Sequence, residues 1–442
     1  MHPWDDGTMM VGTGGLYAPT IRHHDGVTYI ICTNIIHNSS NIGDEYSEQF
    51  IIHTKNILSG EWSDPIIFPF PGIDPSLLFD DDRVYVQLCK TGPDFEIFNL
   101  EIDIETGKIL TEPALIWTGW AKKYTEGPHI YKKDGWYYLL CAEGGTFRHH
   151  MLSIARSKSV WGPFESHSKN PLYTAYGTTQ YVQNTGHGDL FQDQQGRWWV
   201  VMIGVRLLEG RSIMGRETFL AAAEWESNEW PVIKGVVASR GSPSVINSNS
   251  LYLSPEVSWV YLRDPNLEDY HMSDNRIKIR ASPAGLDEVH RAVTFVGQRQ
   301  RKLVGIATVI LANPRATRHV RAGLALYKDE HRFLSITADF EEQSVIFEGM
   351  NRAQSYQKNL VQKTSLDEYI TLKIIYTEET LSFVFEDGQG GSECMQKVDT
   401  AVMTDFDFTG PVIGLFATGE DVEVEFSDFV VDVEVSNVEL PL

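Results

Sequence analysis

The chain has 442 residues, enough for two or three domains, and its 37 basic and 60 acidic residues give a formal net charge of −23. This acidic balance excludes nucleic acids and anionic membrane surfaces as expected partners, because both require a basic face. No apolar run reaches the ~18 residues of a membrane span, and 11% aromatic residues suffice for a large core, so the composition is that of a soluble globular protein.

A unit of two short strands joined by an Asp/Gly turn recurs in the first half of the chain. In the first copy, residues 18–21 lead through Asp25-Gly26 to the aromatic and β-branched segment 29–32. Such a pattern is typical of a β-hairpin. Four copies are present, over residues 18–32, 74–89, 127–141 and 187–202.

The copies follow one another at roughly 55 residues, which without helical periodicity predicts four-stranded propeller blades. In a propeller the first strand of each blade faces the central channel. The residues at the start of these strands are therefore predicted to meet at one mouth of the channel: Ala18, Asp74, the Glu126-Gly127 pair and His187.

Three cysteines and a methionine occupy the same place in the second strand of the repeat. Equivalent positions in different blades are too far apart for a disulfide, whose Cα atoms must lie within ~7 Å. We therefore expect buried core thiols, with catalytic or metal-binding thiols as the alternative. The four residues are Cys32, Cys89, Cys141 and Met202.

The second half of the chain changes character near residue 240. A Ser-, Asn- and Gly-rich stretch predicts a linker over 241–256, between a propeller domain at 1–240 and a second domain at 257–442. Alternation of apolar and polar residues predicts an antiparallel β-sandwich there, so the fold class is all-β. The alternating segments include 369–374, 381–385 and 422–426.

Two carboxylates and a histidine at one mouth could perform glycoside hydrolysis. That reaction needs one protonated carboxylic acid for the leaving oxygen and one ionised carboxylate as base. Taken singly, Asp74 and Glu126 are equally compatible with turn or cap acceptors, and His187 with a structural hydrogen bond.

Six ordered motifs resemble glycoside hydrolase family 43, in the branch of β-xylosidases and α-L-arabinofuranosidases with a C-terminal concanavalin-like β-sandwich. Two segments of the second domain, 322–327 and 408–415, resemble that sandwich. The resemblance covers nearly the whole chain and implies a five-bladed β-propeller followed by the sandwich. The motifs are GGLYAPTIR at 14–22, IDPSL at 73–77, TEGPHIY at 125–131, AEGGT at 142–146, TGHGD at 185–189 and GRETFL at 215–220.

The resemblance implies catalytic roles for two residues. Glu126 matches the general acid that protonates the glycosidic oxygen, and Asp74 matches the carboxylate that orients this acid and adjusts its pKa. The family hydrolyses its substrates in a single step with inversion of configuration.

Four further residues are implied to bind the substrate. Arg216 matches an arginine that hydrogen-bonds the sugar in the −1 subsite, and Tyr17 stands where a sugar-stacking wall is expected. His187 matches an axial histidine near a channel water or a divalent cation such as calcium, although no cofactor is required. Phe408 is a candidate for an aromatic that the sandwich contributes to the pocket.

One element of the family pattern is missing from the motifs. The resemblance implies a general-base Asp in the opening motif of the first blade. One period of about 56 residues counted back from Pro19 leads to a position before Met1, so the first blade and its base are expected to be absent. Asp5 and Asp6 are the nearest substitutes, and they precede a different strand.

A missing blade would expose two sheet edges that propellers normally protect. Three explanations are open: the four blades close poorly, a partner such as a second copy of the chain covers the gap, or the start is an incomplete reading of a longer gene. The N-terminus shows no secretory signal, which favours the cytoplasm, and a longer N-terminus could carry one.

The leading hypothesis is an inverting glycosidase that acts on xylosyl or arabinosyl ends of plant polysaccharides or oligosaccharides, whose activity the absence of the general-base Asp would impair. The alternatives are a non-catalytic glycan-binding protein, in which the funnel holds a pentose without activating water, and a scaffold that binds another protein through the open propeller edge.

Overall fold

A computed structural model describes residues 14–37, 45–92, 95–236, 259–315, 318–387 and 391–433, together with the backbone of strands β1 (His2–Pro3) and β2 (Met9–Met10). Apart from 3-10 turns at Leu267–Asp269 and Thr400–Met403, the regular structure in these ranges is β-strand, which confirms the all-β class. No helix in the described ranges is long and apolar enough to span a membrane.

The chain divides into two compact units. One, here called the propeller unit, comprises 12–205 and 218–238, and the other, the sandwich unit, comprises 1–11, 206–217 and 239–442. The segment 206–217 thus groups with the C-terminal half although it lies inside the predicted propeller domain. The predicted linker over 241–256 lies outside the described residues.

The propeller unit is built from four-stranded sheets, called blades I to IV in chain order. In each blade, strands that follow one another in the chain are hydrogen-bonded neighbours. Blade I consists of β3 (Gly15–His24), β4 (Val27–His37), β5 (Glu45–Thr54) and β6 (Ile66–Phe68). Blade II consists of β7 (Ile73–Asp80), β8 (Arg83–Lys90), β9 (Glu96–Ile102) and β10 (Ala114–Trp117). Blade III consists of β11 (Glu126–Lys133), β12 (Trp136–Glu143), β13 (Met151–Ser157) and β14 (Glu165–Ser166). Blade IV consists of β15 (Val182–Gln192), β16 (Trp198–Arg206), β17 (Glu217–Glu224) and β18 (Val232–Ile233).

The blades confirm the predicted propeller architecture. The part of the chain that the structure describes contains four four-stranded sheets. The fifth blade implied by the family resemblance is not among them. Each copy of the sequence repeat supplies the first two strands of one blade.

The repeated thiol position lies in the core, as predicted. Cys32, Cys89, Cys141 and Met202 are each at most 1% exposed, on the second strand of their blades, and the three cysteines are free thiols. Burial raises the pKa of Cys32 to about 11. Because the thiolate is the reactive form, these cysteines are packing residues rather than nucleophiles.

The start of the first strand bears a bulge in blade after blade. The pairing register shifts between Tyr17 and Thr20, between Ile73 and Ser76, and between Glu126 and His129. An extra residue in one strand causes such a shift and redirects the neighbouring side chains. In each of the four blades, a residue predicted to lie at the start of the first strand has a left-handed backbone. These residues are Ala18 (φ 41°), Asp74 (φ 57°), Gly127 (φ 53°) and His187 (φ 45°).

The sandwich unit consists of two seven-stranded sheets. The first has the order β19 (Val260–Tyr261), β22 (Phe295–Arg299), β31 (Val412–Gly419), β24 (Val320–Asp329), β25 (Arg332–Asp339), β26 (Ser344–Asn351) and β27 (Tyr356–Lys363). The second has the order β20 (Tyr270–Ser273), β21 (Arg276–Arg280), β32 (Glu423–Val433), β23 (Gly305–Ala312), β28 (Tyr369–Tyr376), β29 (Thr380–Glu386) and β30 (Ser392–Asp399). The predicted alternation is confirmed in β28, where Ile370, Leu372 and Ile374 are fully buried and Tyr369 is exposed.

Candidate active site

The strand starts that carry the two carboxylates predicted to be catalytic meet between blades II and III. Asp74 is buried, and its Oδ2 accepts the backbone N–H of Gly127 at 3.0 Å. Because Gly127 directly follows Glu126, Asp74 fixes the backbone that carries Glu126. Burial raises the pKa of the Cys89 thiol, and the negative charges of Asp74 and Glu126 raise it further.

His187 of blade IV contacts Gly127 of blade III, the same residue that Asp74 binds. A Cβ on Gly127 would lie 3.0 Å from Cδ2 and from Nε2 of His187, so the imidazole packs directly against the Gly127 backbone. Only glycine combines this close approach with a φ of 53°. The structure therefore brings Asp74 and His187 to the backbone of Gly127, the residue that follows Glu126.

Tyr17 occupies the position in blade I that Glu126 occupies in blade III, one residue before the bulge. Its side chain is half-buried, and its backbone carbonyl accepts the thiol of Cys32 at 3.2 Å. The location at the start of a first strand fits the predicted sugar-stacking role, which stays a prediction.

Arg216 and Phe408 belong to the sandwich unit, where they contact each other. The guanidinium carbon of Arg216 lies 4.3 Å from the centre of the Phe408 ring, a cation–π distance. The neighbouring Asp407 accepts Lys328 Nζ at 2.7 Å, and the same ammonium donates to the carbonyl of Ile213 at 2.6 Å. Lys328, which the sequence did not single out, thus ties the segment with Arg216 to the segment with Phe408.

A polar cluster that the motifs did not reveal lies further along the first strands of the propeller unit. Arg22 of blade I donates to Asp189 of blade IV, with Nη2 and Oδ1 3.1 Å apart, and its Nη2 lies 3.1 Å from His129 Nδ1 of blade III. The hydroxyl of Tyr131 donates to the same Asp189 oxygen at 2.7 Å. We call Arg22, His129, Tyr131 and Asp189 the axial cluster; it connects three blades.

A signal for this cluster exists in the repeat. His129 and Asp189 follow the left-handed residues Gly127 and His187 by two positions, and Arg22 follows the left-handed Ala18 by four. Side chains two positions apart on a strand share a face, so the same alignment that finds the mouth of the channel also points to its lining.

Burial dominates the electrostatics of the axial cluster. It lowers the pKa of His129 to about 4; Asp189 opposes this shift, and the charges of Arg22 and His187 add to it. Burial would raise the pKa of Asp189, but His129, Arg22 and Tyr131 together lower it. At neutral pH the cluster therefore holds a neutral imidazole beside an Arg–Asp ion pair.

The described residues supply few ligands for a divalent cation beside His187. In the ranges that the structure describes, no three His, Cys, Asp or Glu side chains converge on a point. Asp189 and His129 already bind the guanidinium of Arg22, and His187 alone supplies one ligand where calcium takes six to eight oxygens. The calcium ion expected beside His187 stays a prediction, and no step below depends on it.

Comparison with known proteins gives two matches that together span most of the chain. Residues 2–231 match the glycosyl hydrolases family 43, and residues 254–432 match the beta xylosidase C-terminal concanavalin A-like domain.

Among the relatives is a xylosidase/arabinosidase of Butyrivibrio fibrisolvens, 33% identical over 356 residues that cover 73% of this chain and 66% of the relative. A non-reducing end alpha-L-arabinofuranosidase of Bacteroides ovatus is 29% identical over 428 residues, covering 92% of this chain and 79% of the relative. The crystal structure of a xylan beta-1,4-xylosidase from Bacillus halodurans C-125 superimposes with a TM-score of 0.80 at 26% identity, covering 95% of this chain and 87% of that one. This chain thus spans just under two thirds of the first relative's length.

Proposed function

We propose that this chain, which belongs to glycosyl hydrolase family 43, hydrolyses O-glycosidic bonds at xylosyl or arabinosyl ends of oligosaccharides and polysaccharides, in one step with inversion. The observation that carries the proposal is the contact of Asp74 with the Gly127 N–H, which fixes the backbone beside Glu126.

In the proposed reaction Glu126 is the general acid. Its carboxyl proton passes to the glycosidic oxygen as the bond from that oxygen to the anomeric carbon breaks. Asp74 is proposed to orient this acid, because its Oδ2 accepts the N–H of Gly127, the residue that follows Glu126. Asp74 is therefore a positioning residue.

Inversion requires a water molecule on the opposite face of the sugar and a base that takes its proton. The two substitutes named from the sequence, Asp5 and Asp6, lie outside the described residues. The base is left unassigned, and the proposal concerns the acid side of the reaction.

Substrate binding is assigned to aromatic and guanidinium groups. Tyr17 provides a half-buried ring at the start of blade I, suited to contact the apolar face of a pentose. Arg216, held against Phe408, presents hydrogen-bond donors in a fixed plane, which suits recognition of sugar hydroxyls.

The test is hydrolysis of p-nitrophenyl β-D-xyloside and p-nitrophenyl α-L-arabinofuranoside by the full chain, with proton NMR of the sugar first released. We expect release of nitrophenol and, from the β-xyloside, α-xylose as the first anomer. Initial β-xylose would contradict inversion. Sugar binding in isothermal titration with xylose, xylobiose or arabinose but no hydrolysis would indicate a glycan-binding protein, and neither binding nor hydrolysis would refute the proposal.

A further inference from the structure

One fully buried carboxylate that the proposed reaction does not use belongs to Glu143, in the same blade as Glu126. Glu143 ends strand β12, the neighbour of the strand that Glu126 begins, and is 0% exposed. Its Oε1 accepts the backbone N–H of Trp120 at 2.8 Å, and its Oε2 accepts that of Ala121 at 2.6 Å. The hydroxyl of Ser153 donates to Oε1 as well.

The two backbone donors belong to residues 118–125, here called the acid loop, which joins the end of β10 to Glu126. A second contact secures the other half of this loop, since the N–H of Gly144 donates to the carbonyl of Lys123 at 2.8 Å. Glu143 and its neighbour in sequence thus bind the acid loop at two points, and the loop has no regular structure of its own.

The acid loop folds tightly over the carboxylate. A Cβ on Gly119 would lie 2.2 Å from Thr125 Oγ1 and 2.9 Å from Glu143 Oε2, and Gly119 has a φ of 87°. Thr125, whose hydroxyl is buried, directly precedes Glu126. The carboxylate therefore sets the path of the chain up to the residue before the proposed acid.

Two successive N–H groups on the two oxygens of one buried carboxylate make a directional contact. Hydrogen bonds to an ionised acceptor are shorter and stronger than neutral ones, and burial excludes the water that could replace them. A glutamine at position 143 would have the same shape, but only one of the two terminal atoms of its side chain accepts hydrogen bonds. Its NH2 group would therefore face one of the two backbone N–H groups of the acid loop.

We propose that Glu143 is a positioning residue for the general acid: it holds the acid loop so that Glu126 presents its carboxyl to the glycosidic oxygen. The inference rests on the proposed function, because it concerns the acid of that reaction. Asp74 anchors the chain just after Glu126, at Gly127, and Glu143 anchors the chain before it. The acid is thus held from both sides by buried carboxylates on different blades.

The consequence depends on the leaving group. A substrate with a poor leaving group, such as xylobiose, needs the proton from Glu126, whereas a 2,4-dinitrophenyl glycoside releases a stable anion and hardly needs it. Loss of general-acid assistance costs ~10²–10⁴ in rate, and a displaced acid should lose part of this. We expect Glu143→Gln to lower kcat on xylobiose ~10-fold or more and kcat on the dinitrophenyl glycoside ~2-fold or less.

The experiment measures kcat and KM on both substrates for the wild-type full chain and for Glu143→Gln. If the wild type prefers arabinosyl substrates, the matching arabinosyl pair is used. An equal loss on both substrates, or no loss on either, would overturn the inference, since a merely structural role lowers the amount of active protein without changing the ratio. A wild type that hydrolyses neither substrate would instead refute the proposed function.

Asp193→Asn is the matched control. Asp193 also accepts two backbone N–H groups, from Gln195 and Arg197, each at 2.9 Å. It lies in the turn between β15 and β16, at the opposite end of β15 from its start. The control should keep the wild-type ratio of the two substrates.

Gly119→Ala is the second variant, in case Glu143→Gln does not fold. It keeps the buried carboxylate and displaces the acid loop through the new Cβ. We expect the same selective loss on xylobiose. A folded Gly119→Ala variant with the wild-type substrate ratio would contradict the proposed coupling of loop and acid.

Discussion

The buried imidazole of His129 should make the stability of the propeller unit depend on pH in a defined window. The pKa of His129 is about 4 in the folded chain, against 6.5 for an ordinary histidine, because burial disfavours the charged ring. Below pH 6.5 the unfolded chain binds a proton that the folded chain does not, so stability is complete above pH 6.5 and is lost as the pH falls from 6.5 to 4.

The size of the effect follows from the shift. One pKa unit corresponds to about 1.36 kcal/mol, so between pH 7.5 and pH 5.0 the folded state should lose about 2 kcal/mol through His129. Asp189 does not contribute in this window: its folded pKa is lowered, so its share of stability is lost only below its ordinary value of 3.8.

His129→Gln removes the titration and keeps an acceptor for Arg22 Nη2. The assay is urea unfolding of wild type and variant at pH 7.5 and pH 5.0, followed by tryptophan fluorescence. Other titrating groups are common to both proteins and cancel in the comparison.

We expect the wild type to lose about 2 kcal/mol more than His129→Gln on acidification. Equal losses in the two proteins would show that His129 titrates as an exposed histidine, and would refute the account of the axial cluster as a buried neutral imidazole beside an ion pair.

Three further variants test other parts of the site. Asp189→Asn leaves the Arg22 guanidinium without its counter-charge and should lower the free energy of unfolding by about 3 kcal/mol, measured by urea titration at pH 7.5; an unchanged midpoint would contradict the cross-blade role of the pair. Gly127→Ala places a Cβ 3.0 Å from the His187 ring and should lower kcat by ~10-fold or more because Glu126 moves with its neighbour, and wild-type kcat would show that the contact yields freely. Arg216→Ala should weaken binding of the terminal sugar in isothermal titration, and unchanged affinity would contradict the proposed sugar-binding role of Arg216.

The sequence predicted the propeller because the repeat is local. Each hairpin is encoded within about fifteen residues by a turn and a β-branched strand. Asp74 and His187 were found by the same alignment of repeats, because they occupy one recurring position of the blades. The backbone at this position is left-handed. Cys141 was placed in the core for the same reason.

The axial cluster could not be predicted in the same way. The alignment shows that His129 and Asp189 face the channel, but not that Arg22, more than a hundred residues earlier, ends between them. That meeting depends on how the blades are arranged in three dimensions, which no local pattern encodes. Glu143 was hidden for a related reason: its partners are backbone N–H groups, which carry no sequence signal.

The grouping of residues 206–217 with the sandwich unit was also outside the reach of sequence patterns. The segment is bracketed by the strands of blade IV and reads as an ordinary hairpin connection. One of its attachments is the Lys328 ammonium, which meets the Ile213 carbonyl and Asp407 only in the folded unit.

The most direct test of the central claim is the activity of Glu126→Gln beside the wild type, on xylobiose and on p-nitrophenyl β-D-xyloside, together with sugar binding by isothermal titration. Glutamine has the shape of the acid and no transferable proton, so kcat on xylobiose should fall by ~10² or more while affinity for xylose stays within about twofold. A Glu126→Gln variant that turns over xylobiose at the wild-type rate would show that another group protonates the leaving oxygen, and the assignment of the site would be wrong.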